Sequence, residues 1–151
     1  MKNQEEYIIR KLEKEDFFRG HLQLLKQLTS IDPDQININN YINFISNLDD
    51  RHQIFVICEN NKIVATGTLL IEDKLIRNIS KMAHIEDIVV DNNYRGKGLG
   101  KKIINFLVGC AETHGCYKVN LNCNDKNIKF YENCNFNRNG SQMSIYIQSK
   151  L

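Results

Sequence analysis

The run "HIEDIVV", His84 to Val90, leads through "DNN" into "YRGKGLGKK" and then into a long apolar stripe, and that succession limits the fold more than anything else in the chain. The first part is β-rich. The turn holds three glycines on alternate residues, Gly96, Gly98 and Gly100. From Gly98 to His114 the residues Leu99, Ile103, Ile104, Phe106, Leu107 and Cys110 recur at helical spacing, with Gly115 placed to cap the end. "YKVNLNC" then alternates as a strand. Strand, helix and strand in succession require a sheet with helices packed on it.

The rest of the chain extends this pattern. "EYIIRKL", Glu6 to Leu12, reads as a short strand, and Phe17, Phe18, His21, Leu22, Leu25 and Leu28 predict a helix ending near Thr29 and Ser30. Ile38, Tyr41, Ile42, Ile45 and Leu48 give a second helical stripe after "DPD", which holds the only proline. "QIFVIC" and "KIVATGTLLIE" flank the turn-prone "ENN" and form an antiparallel hairpin. "KNIKFYENC" is a short helix and "QMSIYI" a closing strand. No repeat and no linker interrupts the 151 residues. The expectation is one domain, 1–151, of α/β (α+β) class, with a mixed central β-sheet flanked by helices on both faces.

A net charge of +2 and a pI near 8.2 fall short of a nucleic-acid-binding footprint, so any basic site is local. No apolar run approaches the roughly 20 residues of a membrane span. The charged N-terminus "MKNQEEYIIRKLEKEDFF" lacks a signal-peptide core, and the five cysteines contain no CxxC pair. Reduced thiols in the cytoplasm follow. Cys110, His114 and Cys116 lack the fourth ligand and paired spacing of a structural zinc site, so no metal is expected.

A glycine-rich turn between strand and helix suits an anion, because the first helical N–H groups lack partners and carry partial positive charge. Arg95, Lys97, Lys101 and Lys102 add formal charge. A mononucleotide P-loop needs four residues between its glycines and a hydroxyl after the lysine; Gly96 and Gly100 enclose three, and Lys102 follows Lys101. The dinucleotide fingerprint fails too, since its third glycine comes one residue early and neither Glu112 nor Asp125 ends a second parallel strand. A plain turn accounts for one or two of the glycines, not for three among four cations.

What remains is a pyrophosphate cradle. "IVVDNNYRGKGLGKKIINFLV", Ile88 to Val108, resembles the GNAT N-acetyltransferase superfamily, whose acetyl-CoA pyrophosphate loop reads R/Q-x-x-G-x-G/A, and "NIKFYENCNF" is similar to its second signature. The element order matches that superfamily's fold. "HIEDIVV", "HGCYKVNLNC", "NIKFYENC" and "QMSIYI" further resemble the glucosamine-6-phosphate N-acetyltransferases of amino-sugar nucleotide synthesis, and the likeness covers nearly the whole chain.

The resemblance implies acetyl-CoA as cosubstrate, an amino sugar phosphate as acceptor and a homodimer. It places Ile88, Val89 and Val90 along the pantetheine, with an N–H polarising the thioester carbonyl, and Arg95, Gly96, Lys97, Gly98, Leu99, Gly100 and Lys101 at the pyrophosphate. Asn127 contacts the pantetheine or the adenine-side arm. Tyr131 falls beside the sulfur, where a phenol can protonate a departing thiolate. Glu86, Asp87 and Ile88 contact the sugar, joined by Thr29, Lys74, Leu75, Ile76, Arg77, Tyr117 and Lys118. Strand alternation points Glu86 and Asp87 to opposite faces, so only one faces the site.

Two departures bear on the acceptor. The family carries a carboxylate where this chain has Asn122, so either Glu86 through water takes the amine proton or the neutral amine is captured directly. An arginine expected near the sugar phosphate corresponds to Tyr146, leaving Arg77, Lys74, Lys118 or Arg138 for that task. A protein or polyamine acetyltransferase and a non-catalytic CoA-binding module stay open as alternatives.

Overall fold

Asn60 and Asn61 take φ of 47° and 65°, the doubly left-handed turn whose twist suits a hairpin, and join β2 (His52–Glu59) to β3 (Lys62–Lys74). In this computed structural model, which describes residues 7–147, the hairpin is the middle of a five-stranded sheet. β1 (Ile8–Lys11) pairs with β2, and β4 (Ser80–Val90) with β3, all antiparallel. β5 (Cys116–Leu121) lies parallel to β4, so the chain must cross over between them. The crossover is the helix whose register was legible in sequence, Leu99–Thr113. The expected mixed sheet is therefore present.

Two shorter helices precede β2, α1 (His21–Leu25) and α2 (Ile38–Ser46). α3 (Ile76–Ile79) is a single turn in which Arg77, Asn78 and Ile79 are left-handed. The crossover helix is α4, and α5 (Ile128–Glu132) follows β5. The chain forms two compact units that divide between Leu121 and Asn122; the sheet and α1 to α4 belong to the first, α5 to the second.

Two expectations are corrected. The first predicted helix is broken by Gly20, which takes φ 86°, ψ 16°, and the residues before it form a 3-10 turn, Lys14–Arg19. Glycine populates that region without a β-carbon penalty, so the chain can bend there. "QMSIYI" is not a strand: residues 142–147 have no regular element and no ladder pairing, and Met143, Ile145, Tyr146 and Ile147 are each about nine-tenths exposed. Alternating apolar residues make a strand only where an edge receives them. Of the N-terminal strand, Glu6 lies outside the described residues.

The 3-10 turn is anchored by a carboxylate with no solvent exposure. Asp16 accepts a forked pair of bonds from Arg10 at 2.7 Å each, one from Arg19 at 3.2 Å and one from the Glu13 N–H at 2.9 Å. Burial works to raise its pKa, but the Arg10 hydrogen bonds and the Glu13 N–H outweigh it and hold Asp16 below the usual carboxylate range.

The sheet is covered on both faces. Leu12, Leu22, Leu24, Tyr41, Val56, Cys58, Ile63 and Val89 form the core under α1 and α2. On the other face Phe106 of α4 meets Phe55 edge to face at 5.0 Å. A polar chain crosses the first core. Thr66 Oγ1 donates to the Phe55 carbonyl at 3.1 Å, so it accepts from His21 Nε2 at 3.3 Å, and His21 Nδ1 accepts the Tyr41 hydroxyl at 2.8 Å. One tautomer of a neutral ring satisfies all three groups.

Burial lowers the His21 pKa from 6.5 to about 4, against a smaller opposing pull from Asp16. The unfolded chain binds this proton below about pH 6.5 and the folded chain only below about pH 4, so stability present above 6.5 falls as pH drops through that window. The full effect is about 3 kcal/mol. Urea titrations at about pH 7 and about pH 4.5 are expected to show a steeper acid loss in the native protein than in His21→Gln.

Candidate functional site

The site begins with a missing side chain. Thr66 pairs with Val89 and Thr68 with Glu86, so Gly67 alone faces two residues, Asp87 and Ile88. This is a β-bulge, and Asp87 takes φ 53° to make it. A β-carbon at position 67 would lie 2.4 Å from Ile88 Cδ1 and 3.0 Å from Leu107 Cδ1, so Ile88 occupies the space a side chain would fill, against α4.

The bulge overturns the alternation expected of Glu86 and Asp87. Directly paired residues project from the same face, so Glu86 shares the face of Thr68. Asp87 lines one cavity of about 240 Å³ together with Thr66, Thr68, His21 and Tyr41. Both carboxylates therefore lie on the α1–α2 side, and the extra residue sends Ile88 to the other. A one-residue insertion does what regular pleating forbids.

Beyond the bulge β4 loses a neighbour. The β4–β5 register runs from Lys81↔Cys116 to Ile85↔Leu121, and no strand among the described residues pairs with the β5-side edge of Glu86–Val90. An open backbone edge of this kind can bind an extended chain by main-chain hydrogen bonds.

The turn after β4 is built on Asp91. Its carboxylate accepts the Asn93 N–H at 2.9 Å and Lys62 Nζ at 2.9 Å, while its own N–H bonds the Val64 carbonyl. Burial opposes its ionisation, but Lys62 and the Asn93 N–H prevail and keep it below the ordinary range. Gln27 accepts the Asn92 N–H at 2.9 Å, tying the turn to the segment after α1. Gly96 and Gly98 both take φ 79°, with nothing within 4 Å of where a β-carbon would sit. They are there for conformation and leave open space before the chain. Gly100 does a different job as the second residue of α4. Gly98 caps α4 without a side chain, so the helix-start N–H groups face outward unclaimed by one. Left-handed glycines, open approach and the cations Arg95, Lys97 and Lys101 fit a diphosphate.

A second cluster forms at the far end of β4. Arg77 lies 4.9 Å over the Tyr117 ring and Lys118 Nζ 5.7 Å from it. Lys74 is paired with Glu72, which also bonds His84 Nε2 at 2.9 Å; the Lys74 hydrogen bond is the main cause of the lowered Glu72 pKa. Leu75, Ile76 and Ile79 stand exposed around these cations. Thr29 lies on the exposed turn after α1. At the end of α4, His114 Nδ1 donates to the Cys110 carbonyl at 2.8 Å and Nε2 accepts from Gln53 at 3.3 Å. Among the described residues no three His, Cys, Asp or Glu gather as a metal site, and no helix is long and apolar enough to cross a membrane.

Asn122, Asn127 and Tyr131 belong to the second unit. The first two are exposed. Tyr131 sits in α5 with Phe130 and Phe136 edge to face at 5.0 and 6.2 Å, and its carbonyl accepts the N–H groups of Cys134 and Phe136. Asn135, where the family has glycine, takes the left-handed φ of 66° that the turn requires.

The acetyltransferase (GNAT) family model matches residues 7–136, which span both units. The chain belongs to the GNAT acetyltransferase family. It is 45% identical over 140 residues to glucosamine 6-phosphate N-acetyltransferase 1 of Dictyostelium discoideum, covering 91% of this chain and 89% of that one. Over 147 residues it is 44% identical to the Arabidopsis thaliana glucosamine 6-phosphate N-acetyltransferase, 94% of this chain and 97% of the relative. The crystal structure of the Arabidopsis enzyme superposes with a TM-score of 0.85 at 43% identity, covering 95% of this chain and all of that one. An acetyltransferase of this family carries out acetyl transfer.

Gly67 was not singled out from sequence, although a lone glycine inside "KIVATGTLLIE" is the usual mark of a bulge. Gly67→Val is expected to displace Ile88 and Leu107, cost about 1–3 kcal/mol in urea titrations and lower acetyl transfer.

Proposed function

We propose that the chain is a glucosamine 6-phosphate N-acetyltransferase, moving acetyl from acetyl-CoA to the sugar's 2-amino group by direct attack, in UDP-N-acetylglucosamine biosynthesis. The observation that carries it is β4, where one bulge sets two carboxylates on one face and the strand then enters an open, left-handed glycine turn. The high similarity to the Dictyostelium and Arabidopsis enzymes supports the acceptor. In this reading residues 1–151 act as a single domain, in the cytoplasm, as a homodimer. The exposed Met143, Ile145, Tyr146 and Ile147 supply an apolar surface for that association.

Acetyl-CoA brings the activated thioester. The N–H groups of Gly96 to Lys101, that of Lys97 among them, and the charges of Arg95 and Lys101 hold its diphosphate, and the open edge of Ile88, Val89 and Val90 holds the pantetheine, with one N–H directed at the carbonyl oxygen. Lys74, Arg77 and Lys118 lie six residues, about 20 Å, along β4 from Glu86, so they reach the sugar phosphate from the second subunit of the homodimer with Leu75, Ile76 and Tyr117 beside them, while Thr29 contacts the sugar from the subunit that supplies Glu86. Glu86 and Asp87 orient the amine, and Asn122 accepts one of its hydrogens. As the nitrogen bonds to the acyl carbon and the C–S bond breaks, the amine proton passes through water to Glu86, and Tyr131 protonates the sulfur. Asn127 completes the contacts to the pantetheine arm.

Thiol release from acetyl-CoA with glucosamine 6-phosphate, glucosamine and a lysine peptide side by side is expected to be fastest with the phosphosugar. Release with the peptide alone would sink the acceptor assignment. Tyr131→Phe is expected to lower kcat by about 10²-fold with little change in either KM. Arg77→Ala should raise KM for the phosphosugar and leave KM for acetyl-CoA unmoved; equal effects on both would count against a phosphate contact.

A further inference from the structure

We propose that Tyr7 and Tyr94 form an aromatic slot that fixes Lys97 and so shapes the diphosphate turn before acetyl-CoA arrives, which makes Tyr7 a positioning residue for cosubstrate capture. The inference rests on the assignment of the Arg95–Lys101 turn to the CoA diphosphate.

Lys97 sits between Gly96 and Gly98, the two residues of the turn with the greatest backbone freedom. A turn of that composition, left to itself, samples many conformations, and ordering it at the moment of binding weakens the ligand. Here it is held from outside. Lys97 Nζ donates to the Tyr7 hydroxyl at 3.1 Å and lies 5.8 Å from the centre of that ring and 5.0 Å from the centre of Tyr94. Both distances are within cation–π range, so the ammonium is drawn between two phenol rings. Lys102, in the first turn of α4, donates to the Tyr7 carbonyl at 2.8 Å and approaches the same ring at 5.8 Å. One residue just ahead of β1 thus holds both the middle of the glycine turn and the start of the helix that follows.

The other wall of the slot is itself braced. The Tyr94 hydroxyl donates to Glu59 Oε2 at 2.6 Å, a bond that raises the phenol's pKa and keeps it protonated, and the Tyr94 N–H donates to the Asp91 carbonyl at 2.8 Å. Lys62 lies 5.2 Å over the Tyr94 ring while paired with Asp91. Glu59 and Lys62 flank the β2–β3 turn, so the slot hangs on the most regular part of the sheet. Lys97 and Lys102 are both held against Tyr7. The turn's N–H groups are then set by contacts on one side while the side facing open space stays clear for the ligand.

The test uses the full chain and isothermal calorimetry with acetyl-CoA, alongside steady-state kinetics. Tyr7→Ala is expected to raise Kd about three- to fivefold through a less favourable binding entropy, to raise KM for acetyl-CoA in step, and to leave kcat and the acceptor KM unchanged. Tyr7→Phe, which keeps the ring and the carbonyl, should recover most of the affinity. Tyr94→Leu reaches the same slot from its other wall and should reproduce the entropic loss, with urea midpoints reporting fold integrity for each variant. Unchanged Kd in both Tyr7→Ala and Tyr94→Leu, or a fall in kcat at constant Kd, would overturn the slot. Failure of the native protein to bind acetyl-CoA at all would instead remove the diphosphate assignment beneath it.

Discussion

Ile88 can cross over β3 only because residue 67 has no side chain. That single packing contact sets the bulge, and the bulge sets nearly everything else in the first unit. It sends Ile88 against α4, leaves Asp87 in a left-handed conformation, and brings Glu86 and Asp87 to the same face. The register then resumes with Val89 and Val90 paired to β3, so the strand enters the glycine turn from a fixed position. A flat β4 would present one carboxylate and run on in pleated register.

The parts beyond the bulge follow from where β5 stops. Parallel pairing ends at Ile85↔Leu121, so β4 is a strand with one partner at its end and two at its beginning. Its free edge, the outward N–H groups of α4 and the cations of the turn come from three different causes: a short neighbour, a helix start and local charge. All three converge where β4 ends and α4 begins.

Much of this was legible from sequence. The hairpin, β4, α4 and β5 followed from period and turn residues because each is long or sharply punctuated; Asn60 and Asn61 mark a turn as clearly as any pair can. The glycine turn was legible from its spacing and charge. The bulge was not, because alternation assumes an unbroken ladder and Gly67 differs from its neighbours only by what it lacks. The first helix misled for a related reason: apolar spacing continues across Gly20, but the chain bends there to deliver Asp16 to its arginines. "QMSIYI" has the composition of a strand, and composition cannot supply an edge. The Tyr7 slot joins residues about ninety positions apart, a distance over which no local pattern speaks.

Asp16 carries a consequence of another kind. Its two oxygens are engaged by Arg10, Arg19 and the Glu13 N–H, and the carboxylate has no solvent exposure. Loss of either arginine leaves a buried anion short of countercharge, and loss of Asp16 leaves Arg10 without its forked partner. Positions 10, 16 and 19 are therefore energetically coupled: a change at any one of them alters the cost of a change at the other two.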